Sequence, residues 1–132
     1  MAAGINILVN DGGAPARIIK IGNASADINA GTFVWHDGTD VAPAGDDMPS
    51  QSQAMGVLFV DAVSGEPASV ITGSGIICYL AGTGTITAGM SLSHNDAGLA
   101  KNDSIAATDQ RLAVALEALG DTHTGFVKAL LL

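Results

Sequence analysis

Gly75-Ile76-Ile77-Cys78-Tyr79-Leu80 is an apolar run of strand length, preceded by Gly73-Ser74 and followed by Gly82-Thr83-Gly84. Short apolar runs bounded by turn residues read as buried strands, because helices need about ten or more residues to cover a core face. The same grammar extends outward on both sides. Gly56-Val57-Leu58-Phe59-Val60-Asp61 precedes this run, and Thr85-Ile86-Thr87-Ala88-Gly89-Met90, Leu112-Ala113-Val114-Ala115-Leu116-Glu117 and Gly125-Phe126-Val127-Lys128-Ala129-Leu130 follow it. Ser64-Gly65, Asn95-Asp96-Ala97-Gly98 and Gly120-Asp121 supply turns, at the spacing of about 8 to 12 residues that marks small sandwiches and barrels. The chain therefore predicts an all-β fold, a small β-sandwich or β-barrel with at most one short helix.

The first part of the chain differs in texture. Asn6-Ile7-Leu8-Val9, Arg17-Ile18-Ile19-Lys20-Ile21 and Gly31-Thr32-Phe33-Val34-Trp35 read as strands, the first closed by the turn signal Asn10-Asp11-Gly12-Gly13. Between Asp37 and Gln53 the sequence turns polar and acidic, with Pro43 and Pro49, and predicts a long loop. This divides one compact domain into residues 1–53, N-terminal strands and acidic loop, and residues 54–132, a β-rich core. In residues 108–119 the period is ambiguous: Leu112, Leu116 and Leu119 share a helical face, while Leu112, Val114 and Leu116 also alternate.

A length of 132 residues suffices to bury a core without disulfide or metal staples. Apolar residues make up 48% of the chain and aromatics only 4%, so Ala, Val, Ile and Leu must fill that core. Seventeen glycines imply many tight turns and few long helices. The mean hydropathy of +0.39 is high for a solitary soluble domain and points to surface covered by copies of the chain or by a partner. No apolar run approaches the roughly 20 residues of a membrane span, so no membrane association is expected. The N-terminus shows no basic and apolar regions of a secretory signal, so export by that route is not expected. A net charge of −8 repels phosphate backbones and argues against direct binding of nucleic acid.

From Met55 onward the order of elements resembles the small capsid cement, or head decoration, proteins of tailed phages. The resemblance is carried by Gly56-Val57 leading to Asp61 and Gly65, by Ser69-Val70-Ile71-Thr72-Gly73, and by Ile86-Thr87-Ala88-Gly89-Met90-Ser91-Leu92 followed by Gly98-Leu99-Ala100. Val114-Ala115-Leu116-Glu117-Ala118 and Gly125-Phe126-Val127-Lys128-Ala129-Leu130-Leu131 complete it. It implies a β domain, often trimeric, on the outer surface of an expanded icosahedral head, made in the host cytoplasm and bridging major capsid protein subunits. It also favours a strand within residues 108–119. In such proteins the N-terminal portion reaches onto the capsid lattice, where it can add a strand to an exposed edge. The corresponding interface candidates are Ile5, Ile7, Val9, Arg17 and Ile19, joined by Trp35 as a core residue or interface anchor.

Residues with chemical potential have plainer readings. Cys78, between Ile77 and Tyr79 with no cation nearby in sequence, reads as a small buried hydrophobe. His36 and Asp37, with Asp40, Asp46 and Asp47, form a polar cluster whose spacing fits no EF-hand loop and reads as a solvated acidic loop. His94, Asn95, Asp96 and Asp103, and likewise His123, read as turn surroundings. Gly73-Ser74-Gly75 lacks the Gly-x-Ser-x-Gly spacing of a nucleophile elbow, and Gly82-Thr83-Gly84 lacks the rest of a dinucleotide fingerprint. The expectation is a non-enzymatic structural protein without cofactor or metal. Its rivals are another β-rich virion component, a fibre or spike that binds a host surface, and a small hydrolase using His36 and Asp37.

Overall fold

The computed structural model describes residues 13–45, 48–49, 52–102, 111–119 and 124–132. Ten strands form among them: β1 (Arg17–Ile19), β2 (Phe33–His36), β3 (Val41–Pro43), β4 (Gly56–Leu58), β5 (Val70–Thr72), β6 (Ile77–Thr83), β7 (Ser91–His94), β8 (Ala100–Asn102), β9 (Ala113–Ala115) and β10 (Thr124–Leu131). No helix occurs among the described residues, so the fold is all-β. The strands sort into a five-stranded sheet in the order β1-β5-β4-β2-β3 and a closed barrel in the order β10-β6-β8-β7-β9.

Two-residue periodicity explains how the sheet buries both faces. Along one face the registers Phe33↔Val57 and Val57↔Ile71 line up side chains that enter the larger core cluster, shared with the barrel. On the other face Val34, Leu58 and Val70 join Ala24, Ile28, Val41, Ala62 and Ala68 in a second cluster. The segments after β1 and β4 cover that face: the amides of Ile28 and Ala62 each donate to the other's carbonyl at 2.9 Å.

The barrel shows why the chain can manage with so few aromatics. On β6 the residues Cys78, Leu80 and Gly82 are buried, and on β10 Val127, Ala129 and Leu131 are, with Val127 opposite Leu80 and Ala129 opposite Cys78. Ala129 also pairs with Ala115, and Leu131 with Ala113, which in turn faces Leu92. Five strands enclose a narrow interior, and small or branched aliphatic side chains fill it. Closure comes from a parallel contact, Gly82↔Ala100, between β6 and β8.

Backbone bonds lock the sheet onto the barrel. Gly31, at φ +88°, donates to the Leu58 carbonyl and accepts from the Ala81 amide, both at 2.9 Å. The Phe33 amide donates to the Gly98 carbonyl at 2.8 Å, and the Gly75 amide to the Leu131 carbonyl at 2.7 Å.

Two expectations of local structure change, and one open choice resolves as the resemblance favoured. The run Thr85 to Met90 is not a strand: only Ile86 makes a bridge, to Leu119, and a turn closed by the Met90 amide on the Thr87 carbonyl, with Gly89 at φ +87°, defers the strand to Ser91–His94. The acidic stretch is not all loop, because Val41–Pro43 pairs with β2 around a turn at Gly38. In the ambiguous segment Ala113–Ala115 is a strand, with Leu112 before it and residues 108–110 outside the described residues.

Candidate functional site

The predicted interface residues fall in different settings. Ile5, Ile7 and Val9 lie outside the described residues. Arg17 and Ile19 are on β1, the former exposed, the latter half-buried against the second core cluster. Trp35 sits on β2 opposite Ala42 and is half-buried, packed against the larger cluster. Ile18 and Ile21, in the same candidate run from Arg17 to Ile21, are exposed at 43% and 47%. Their apolar character pointed to burial, and only their position at a sheet margin leaves them uncovered.

β1 is held to the sheet by β5 through the registers Arg17↔Thr72, Ile18↔Ile71 and Ile19↔Val70. It is therefore an integral strand. The chain enters it from Ala14, whose amide donates to the Gly75 carbonyl at 2.8 Å.

The polar groups considered for chemistry mostly build turns. Asp37 Oδ1 accepts from the Asp40 amide at 2.8 Å and the Thr39 amide at 2.9 Å, and these two bonds, Asp40 first, hold its carboxyl below the ordinary value of 3.8. The Gly38 amide donates to His36 Nδ1 at 3.1 Å. Asn95 Oδ1 accepts from the amides of Ala97 and Leu99, while His94 Nδ1 bonds the Asn95 carbonyl. Ser74 is exposed between Gly73 and Gly75, both at positive φ. Cys78 is fully buried, and burial pushes its thiol up to about 12. Asp46, Asp47, Asp103 and His123 lie outside the described residues. Among the described residues no three His, Cys, Asp or Glu side chains gather as a metal site.

A cavity of about 150 Å³ opens between sheet and barrel, lined by Phe33, Val57 and Ile71 on one side and Leu112, Leu131 and Leu132 on the other. That is smaller than the roughly 300 to 1,000 Å³ of small-molecule sites. The feature with most binding potential is the β1 margin: exposed apolar and cationic side chains along a strand at the end of a sheet.

No family model matches the chain. No curated protein matches it either. Among solved structures the chain is similar to the N base of head fiber gp8.5 of bacteriophage phi29, with a TM-score of 0.64 and 14% identity, over 89% of this chain and 95% of that one. A likeness at this identity establishes a shared fold.

Proposed function

We propose that this chain is a structural protein of a phage particle, binding the outer surface of an icosahedral capsid and stabilising it by bridging major capsid protein subunits. The observation that carries this reading is the near-complete correspondence of fold with a phage head fibre base. The resemblance of residues 55–132 to cement proteins points the same way. The protein works by adhesion rather than by catalysis: the polar side chains of its turns are engaged in forming those turns. A homotrimer suits the role, since several weak contacts from one oligomer act at high effective concentration. Residues 1–53, with Arg17 and Ile19 among them, carry the capsid contact.

The test is co-sedimentation of the purified protein with expanded capsids of its own virus, paired with the capsids' resistance to heat. Binding together with raised heat resistance is the expected outcome, and failure to bind refutes the proposal. The name of the fold neighbour favours a second reading, the base of a head fibre. Capsid binding that leaves heat resistance unchanged selects that reading over the cement role.

A further inference from the structure

The closed barrel has no strand edges, so the five-stranded sheet contributes the described edges, β1 and β3. The β3 edge is occupied. Val41 donates to the Asn23 carbonyl at 2.8 Å and accepts from the Ser25 amide at 2.9 Å, and Pro43 has no N–H to offer. Among the described residues no strand lies beyond β1.

Antiparallel ladders alternate, so the backbone groups that face outward on β1 can be identified. The Phe59 amide donates to the Ser69 carbonyl at 2.8 Å, which makes the pair two steps along, Val57↔Ile71, a hydrogen-bonded one. The backbone of Ile71 therefore turns toward β4, and those of Val70 and Thr72 turn toward β1. They engage Ile19 and Arg17, their register partners. The N–H and C=O of Ile18 are left pointing away from the sheet.

The chemistry along this edge is unusual for the chain. Arg17 and Lys20 are two of only five cationic side chains in a protein of net charge −8, and both are exposed. Neither forms an ion pair among the described residues. Ile18 and Ile21 stand exposed between and beside them. Lys and Arg on an edge guard against pairing with another cationic strand, and the same charges attract a carboxylate. A second copy fits poorly. Antiparallel self-pairing across Ile18 would set Arg17 of each chain opposite Ile19 of the other, leaving both cations unmatched between two acidic bodies.

We propose that the outer edge of β1 is an acceptor site for an extended segment of another protein in which carboxylates alternate with apolar side chains. The added strand takes the N–H and C=O of Ile18 into its ladder, places an apolar side chain beside Ile18 and sets a carboxylate against Arg17, while Lys20, just beyond the strand, adds to the positive charge that draws the segment in. The alternation follows from the pleat, which sends Arg17 and Ile18 to opposite faces. This reverses the expectation for this segment: rather than an arm that donates a strand, Arg17–Ile19 is fixed in the sheet and receives one.

The experiment is amide hydrogen exchange by NMR on the full chain, titrated with a short blocked peptide alternating glutamate and valine, and separately with one alternating lysine and valine. The glutamate peptide is expected to shift the Ile18 amide and slow its exchange, with an affinity about three- to tenfold above that of the lysine peptide. Arg17→Glu with Lys20→Glu should invert that preference. Ile18→Pro removes only the outward N–H, a change an edge strand tolerates, and should abolish the effect while the remaining amide spectrum is kept. Equal response to the two peptides, no response of Ile18 to millimolar glutamate peptide, or an Ile18 amide already protected in the free monomeric or self-associated chain would each overturn the proposal.

Discussion

Replacing Gly31 by alanine tests how tightly the sheet is locked to the barrel. At φ +88° the residue occupies a conformation that costs an L side chain about 1 to 2 kcal/mol. A Cβ there would lie 2.8 Å from the Ala81 amide nitrogen, 3.1 Å from the Phe126 ring and 3.3 Å from the Tyr79 carbonyl oxygen. The Phe126 ring can shift, but the two backbone atoms belong to β6, which shares its seven-pair ladder with β10, and cannot move independently. Relief has to come from separating residue 31 from β6, which stretches the 2.9 Å bond from the Ala81 amide. Leaving those buried groups unpaired costs about a further 1 to 3 kcal/mol. Gly31→Ala should therefore destabilise by about 2 to 5 kcal/mol. Gly38 is the internal control: its φ is +98° but nothing lies within 4 Å of its Cβ position, so Gly38→Ala should cost only the conformational part, about 1 to 2 kcal/mol. Urea unfolding followed by circular dichroism measures both, with slopes of about 1 to 3 kcal/mol/M making the difference a shift of about 1 M in midpoint. If the two variants lie within about 0.5 kcal/mol of each other, the close approach of residue 31 to β6 is not a stabilising constraint and the reasoning fails.

Cys78→Ala should cost about 1 to 2 kcal/mol through lost packing inside the barrel, measured by the same unfolding assay. The native thiol should resist alkylation and react only on unfolding. Because its folded value is raised to about 12 from 9.0, its contribution to stability is fully present below pH 9 and is lost as the pH rises toward 12, which unfolding midpoints across that range would register. The lowered carboxyl of Asp37 works in the opposite sense: its support for the β2–β3 turn is present above 3.8 and disappears as the pH falls through the lowered value. The Thr39 and Asp40 amide shifts should report that titration, and Asp37→Ala should abolish it. Removing residues 1–12 should weaken capsid binding while moving the melting temperature by less than about 5 °C, since the described residues, which start at position 13, already assemble two core clusters. A truncated chain that unfolds at room temperature, or binds unchanged, contradicts this.

Much of the fold was legible because strand sequences announce which residues go inside. Apolar runs from Gly75 to Leu80 and from Gly125 to Leu130, bounded by glycine turns, identified the two strands that form the longest pairing among the described residues, and the apolar setting of Cys78 anticipated its burial. Where local signals competed, the reading slipped. Thr85 to Met90 carries strand-like alternation, yet Gly89 turns the chain and the strand begins at Ser91. Val41–Pro43 was hidden by proline and acidic neighbours, because a proline on a strand is admissible only where its missing N–H faces no ladder partner, and that depends on which side β2 lies.

Residue order alone carries the all-β character, the core of small aliphatic side chains and the acidic charge that repels phosphate backbones. Which strands close into a barrel and which form the open sheet is set by long-range packing. A two-residue period says which face of a strand is buried but not which strand lies beside it. The same long-range choice, pairing Arg17–Ile19 with Val70–Thr72 across some fifty residues, turned an apolar segment with two cations into an exposed edge, and no local pattern encodes that.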